Sequence, residues 1–183
     1  MKNARFLILV GLVVLGIATR LFPHWPNFTA LGATALMAGA FFTDKKWAYI
    51  IPVLSLFISD LLINNIVYSQ YYDGFVWLSD GFIWIYLGFI ANVLIGTSLN
   101  TQKIGSVALG ALFGALAFFL ISNIGAWLSI PLYSKDVVGL IEAYVAGLPF
   151  LGNQLMANAL YCTILFGAAY ASQKQLTPSA IKA

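Results

Sequence analysis

Residues 105–130, GSVALGALFGALAFFLISNIGAWLSI, run for 26 residues without a charged side chain. As a helix this stretch extends about 39 Å at 1.5 Å per residue. The hydrocarbon core of a bilayer is about 30 Å thick and takes roughly 20 helical residues to cross. In lipid every backbone polar group must be satisfied within its own segment, so such a stretch must be a helix. Working outward, five further runs are of the same kind: Phe6 to Leu21, Thr29 to Phe42, Trp47 to Val67, Gly81 to Leu99 and Phe150 to Ser172. The second of these is short and rich in Ala and Gly. The reading is an all-α membrane protein, a six-transmembrane-helix bundle.

Composition agrees. Hydrophobic residues make up 61% of the 183-residue chain and charged residues 8%, with a mean hydropathy of +0.91. Soluble domains carry about a quarter charged residues, because their surfaces face water. This chain cannot cover such a surface, so its apolar exterior must meet lipid. The length suits one domain over residues 1–172, followed by a short cytoplasmic tail at 173–183.

Orientation follows from Lys and Arg. With the N-terminus inside, Lys2, Arg5, Lys45, Lys46, Lys103, Lys174 and Lys182 fall on the cytoplasmic side and only Arg20 and Lys135 outside. That bias predicts an N-in/C-in protein. Asp73, Asp80, Asp136 and Glu142 all fall outside. The net charge of +3 is therefore read as topology-setting charge. No basic patch with interleaved aromatics exists, and nucleic acid is not an expected partner. Lys2 and Arg5 before an apolar run also suit a cleaved signal peptide, but no small-x-small site follows, and the segment is read as a retained first helix.

Polar residues inside the apolar runs carry the functional reading. Asp60 lies in the middle of the third segment, where an ionised carboxylate costs roughly 2.5–3.5 kcal/mol, so it must face the bundle interior and find a partner. Asn64 follows one turn later on the same face. The fourth segment contributes Asn92, and the fifth Ser122 and Asn123 with Trp127 one turn beyond. The sixth places Gln154, Asn158 and Cys162 on one stripe, with Asn153 and Tyr161 adjoining. Counting about 1.5 Å per residue from the inner ends puts Asp60 near 18 Å, Asn64 near 24 Å and Asn123 near 27 Å. Asn153, Gln154 and Asn158 fall in the outer half of the descending sixth segment. Amides from several segments thus share one depth, beneath three elaborate external connections. The expectation is a polar cavity open to the outside and lidded by those loops, with Asp60, Asn64, Asn123, Trp127, Asn158, Gln154 and Asn27 as ligand-binding residues.

Asn27 belongs to the first of those loops, Pro23-His24-Trp25-Pro26-Asn27-Phe28-Thr29, whose prolines break any continuous helix. The second, Tyr68 to Asp80, is rich in aromatics. The third carries Val137, Ile141, Tyr144 and Leu148 at helical spacing and reads as a short interfacial helix across the bundle mouth. The competing reading of the intramembrane amides is interhelical glue, each contributing about 0.6 kcal/mol. Under it the protein is a non-transporting scaffold or assembly factor.

Nothing in the sequence points to a catalyst. Neither HExxH, GxSxG, a Walker motif nor a dinucleotide-binding glycine pattern is present. The single Cys162 and single His24 give no CxxC or His-rich metal site, and no cofactor is expected. Energised transport would need a separate module.

Arg20-Leu21-Phe22-Pro23-His24-Trp25-Pro26-Asn27-Phe28-Thr29 resembles a segment of an uncharacterised group of small bacterial integral membrane proteins. So do Ser59-Asp60-Leu61, Phe118-Phe119-Leu120-Ile121-Ser122-Asn123-Ile124-Gly125-Ala126-Trp127, and Gly139-Leu140 with Tyr144 and Leu148-Pro149-Phe150. The group is similar, more distantly, to the substrate-binding S components of energy-coupling-factor (ECF) vitamin transporters. That resemblance implies a location in the bacterial inner membrane and an S-component-like fold. It also implies uptake of a small metabolite such as a vitamin, and a separate energising partner made of ATPase and transmembrane subunits. S components that share such a motor carry an Ala-x-x-x-Ala face on the first helix. This chain offers Gly11, Gly16 and Ala18 there, which puts docking to a shared motor in doubt.

Overall fold

The computed structural model describes residues 2–22 and 24–176, with side chains over 11–22 and 24–171. The apolar runs become α1 (Lys2–Leu21), α2 (Leu31–Phe41), α3 (Lys45–Leu62), α4 (Phe82–Thr97), α5 (Ile104–Ser129) and α6 (Val137–Leu176). No strand occurs among the described residues. Two helices are long and apolar enough to cross a membrane: Lys45–Val67, counting the π turn that extends α3, and Ile104–Ser129. Gly11–Leu21, Leu31–Phe41 and Phe82–Thr97 are shorter apolar helices.

α2 forms the centre. Leu31 to Leu36, Ala38 and Gly39 are all buried. One side of it packs with Leu56, Phe89, Val93 and Phe118, the other with Ala111, Cys162 and Phe166. α4 approaches α2 backbone to backbone: a Cβ on Gly39 would be driven into the Val93 carbonyl, and one on Gly96 into the Leu36 carbonyl. Only glycine permits this approach. Polar groups close the helix ends. The Ala30 amide donates to Thr19 Oγ1 of α1 at 3.1 Å, and Lys45 Nζ donates to Gly39 O at 3.0 Å, at the C-terminal end of α2 where a cation is favoured.

Beside the buried Leu and Phe side chains of the two clusters, alanines fill much of the interior, and many large apolar residues stand outside. Ala33, Ala35, Ala38, Ala115 and Ala157 are fully buried, whereas Ile50, Leu54, Leu94, Phe113, Leu120, Leu160 and Ile164 are exposed.

One expected element is corrected. Residues 137–148 do not lie as a separate helix across the bundle mouth. They form the first turns of α6, which continues through Pro149 and runs along α5. Tyr144 donates its hydroxyl to Leu120 O at 2.9 Å, and Gly147 abuts the Asn123 amide. The apolar stripe Val137, Ile141 and Leu148 faces outward, while Ala143 and Gly147 are buried. Close helix packing selected the small residues, so the large ones did not mark the buried face.

α3 ends in the π turn Ile63–Val67, closed by Tyr68 N donating to Ile63 O at 2.8 Å. Beyond it, Asn65 pins the connection between α3 and α4. Its Nδ2 donates to Val76 O at 2.7 Å and its Oδ1 accepts from Val76 N at 2.7 Å. The tail at 173–183 lies outside the described residues except for the last turn of α6.

Candidate functional site

A hollow of about 310 Å³ opens between the start of α4, the last three turns of α5 and the first half of α6. Phe118, Phe119, Phe150 and Ile85 form its apolar walls, and Ser122, Asn123, Ser129, Tyr133 and Gln154 its polar ones. Asn27 reaches it from the α1–α2 connection, and Asp80 lies at its rim.

Gln154 is the residue that distinguishes this hollow from a packing gap. It is 5% exposed, makes no hydrogen bond among the described residues, and borders the hollow. Its amide atoms are not among those sealed off without a partner, which are Asn92 Oδ1 and Asn158 Oδ1, so the amide keeps open surface where it lines the hollow. Asn123 is partly engaged: Nδ2 donates to Phe119 O of its own helix at 2.8 Å, and Oδ1 packs on Gly147.

The surrounding loops are built to stay in place. Asn27 has φ 62°, a left-handed conformation that Asn tolerates better than most residues. Next to it, Pro26 O accepts from Asn153 Nδ2 of α6 at 2.9 Å. Phe28 packs on Tyr161 with ring centroids 6.0 Å apart. On the other side, Gly81 (φ 73°) lets the start of α4 close on Ser129. The α5–α6 connection is fastened by the Trp127 indole donating to Ser134 O at 2.8 Å and by Lys135 Nζ on the carbonyls of Trp127 and Ile130. Asp136 then starts α6, accepting from Gly139 N at 2.9 Å and from the Ser134 hydroxyl at 2.8 Å. Those donors hold its carboxyl below the usual carboxylate range, the Gly139 amide contributing most.

Three of the seven expected ligand residues meet here: Asn27, Asn123 and Gln154. The other four do not converge on the hollow. Asp60 forms an ion pair, its Oδ1 2.6 Å from Arg20 Nη1, and its Oδ2 accepts from the Tyr86 hydroxyl at 3.1 Å. The same Arg20 nitrogen donates to Ser59 Oγ at 2.6 Å and Leu56 O at 3.3 Å. Arg20, in the last turn of α1, is the counter-ion of Asp60 and ties α1 to α3. A carboxylate in apolar surroundings is best stabilised by a cation fixed on the next helix, and it then has little left to offer a ligand.

Asn158 and Asn92 serve helix packing. Asn158 Nδ2 donates to Ala111 O of α5 at 3.0 Å. Asn92 Nδ2 bridges Gly88 O at 2.9 Å and Gly114 O at 3.2 Å. Their oxygens are buried without a conventional donor and face Gly32 and Gly114 respectively, where a Cα–H serves as a weak donor between close helices. Trp127 is spent on Ser134. Asn64 is buried in the π turn, away from the hollow.

Ser129, Tyr133 and Asp80 escaped the sequence reading because each stands at a helix end or in a connection, where no periodicity marks direction. Arg20 had a signal: a lone cation just inside an apolar run needs a lone anion nearby, and Asp60 is the one intramembrane acid. Among the described residues no three His, Cys, Asp or Glu side chains are gathered as a metal site requires.

The chain belongs to a family of unknown function (DUF6580), whose model matches residues 1–180. No curated protein and no solved structure matches it.

Proposed function

For a chain whose family carries no assigned activity, we propose an integral membrane protein that binds a small metabolite from outside and takes part in its uptake. In this reading all six helices lie in the bacterial inner membrane, N-in/C-in, and the hollow between α4, α5 and α6 faces away from the cytoplasm. Support for the membrane comes from the two long apolar helices and from the outward-facing Leu, Ile and Phe side chains. Charge placement supports the orientation. The observation that carries the binding role is Gln154, a buried residue whose amide makes no hydrogen bond within the described protein and which lines the same hollow as Asn27 and Asn123. If uptake is energised, the power comes from a separate module.

A ligand that binds only the folded protein stabilises it by about 2.7 kcal/mol at a hundred times its Kd. Melting of the detergent-purified protein against a broad panel of small polar metabolites therefore tests the reading. At least one compound should raise the melting temperature, and Gln154→Met should remove that shift while leaving the unliganded melt nearly unchanged.

A second reading, a scaffold without ligand, draws on Asn92 and Asn158, whose amides join helix backbones. It predicts that no compound in the panel stabilises the protein.

A further inference from the structure

We propose that the hollow takes a small uncharged ring compound carrying a hydrogen-bond donor and an acceptor side by side, read by the Gln154 amide. The inference rests on the hollow being a ligand site and adds the class of ligand.

Three observations lead to it. The first is the unused chemistry of Gln154. A primary amide presents an acceptor oxygen and an N–H donor in one plane. Such a fork is satisfied by two parallel hydrogen bonds from a partner with the complementary pair, as when Gln or Asn reads an adenine edge. A lactam, a cyclic imide, a nucleobase or a carboxamide ring offers this pair. An alcohol or a hydrocarbon does not.

The second is charge. Among the described residues no Lys, Arg or His borders the hollow, and Asp80 at the rim is the one carboxylate that does. A carboxylate or phosphate brought inside would shed water without gaining a counter-charge, and would face Asp80 on the way in. Lys135 donates to the Ile130 carbonyl from the α5–α6 connection and does not line the hollow, and Arg20 is occupied by Asp60.

The third is size and wall chemistry. About 310 Å³ stands at the small end of ligand cavities, which run from roughly 300 to 1,000 Å³. That admits one ring or a fused pair and excludes a macrocycle. Phe118, Phe119 and Phe150 supply flat apolar faces for the ring. Asn27 and Asn123 also line the hollow, though Asn123 already donates to Phe119 O.

Matched pairs of neutral and acidic compounds test this directly. Uracil and nicotinamide, with orotate and nicotinate as their carboxylate counterparts, are titrated calorimetrically into the full-length protein in micelles. One neutral compound should bind saturably, at least about tenfold more tightly than its acid, and Gln154→Met should abolish that binding with the fold intact. Gln154 makes no hydrogen bond within the described protein, so the change to Met, of similar size, breaks none. Equal affinity for acid and amide, or no binding of either neutral compound, overturns the ligand class. A metabolite of another class whose binding still depends on Gln154 also overturns it, yet leaves the binding site standing. Saturable binding of uracil or nicotinamide that Gln154→Met leaves unchanged overturns both.

Discussion

Replacing Arg20 by Met removes the cation that holds Asp60 between α1, α3 and α4. The two side chains are only 20% and 12% exposed, so solvent screens their interaction little. Breaking a buried ion pair from one side costs about 3–5 kcal/mol, since it strands the other charge. The Tyr86 hydroxyl bond to Asp60 survives the change, and a hydrogen bond to a charged group contributes about 1.5–3 kcal/mol. That places Arg20→Met near the lower end, about 3 kcal/mol. Removing the whole network behaves differently. In Arg20→Met/Asp60→Leu/Tyr86→Phe no charge or hydroxyl is stranded, and such apolar replacements are often neutral or stabilising. The triple variant should therefore be more stable than Arg20→Met alone. Equilibrium unfolding in mixed micelles measures both. A cost below about 1 kcal/mol for Arg20→Met, or a triple variant less stable than the single, refutes the ion pair as the tie between these helices. Ligand binding at the hollow should survive in every variant that folds, because neither Asp60 nor Arg20 borders it.

Three further outcomes follow from particular contacts. Gly39→Ala, which forces a methyl against the Val93 carbonyl, should cost roughly 1–3 kcal/mol in the same unfolding assay, whereas Gly11→Ala, with nothing within 4 Å, should be neutral or slightly stabilising. Asn153→Ala frees the Pro26 carbonyl and the loop bearing Asn27; it should cost about 1 kcal/mol of stability and weaken ligand binding several-fold by calorimetry. Asp136 has a carboxyl held below its unfolded value of about 3.9, so its contribution is present above that pH and is lost as acid carries the pH down through the folded value. An acid titration of melting temperature should therefore fall more steeply below about pH 4 in the wild type than in Asp136→Ala.

The candidate site was legible in part. Asn123 and Gln154 are amides in otherwise apolar helical runs, and that contrast alone marked them. That the two lie level with each other along α5 and α6 followed from helical rise. Asn158 showed the same contrast and the same stripe as Gln154, yet it bonds to Ala111 O, four residues further down α6 and against the closely packed part of α5. Depth along a helix therefore separated neither role from the other; the spacing between helices did. At Gly32 and Ala111 the helices close on Asn158, while around Gln154 Ser129 and Tyr133 of the α5–α6 end stand back and leave space. Asp60 misled for a related reason. Its cost in an apolar setting is evident from the sequence, but its partner lies 40 residues away on another helix, which spacing along one segment does not reveal.

Sequence by itself determined that the chain is helical, apolar on its outside, and studded with amides that must find partners. Hydrophobicity and backbone satisfaction are properties of each segment alone, so they can be read in order along the chain. Which amides meet each other, which meet a carbonyl and which face open space depend on where glycines let two backbones close and where larger side chains hold them apart. That is decided between helices, and only the tertiary structure holds it.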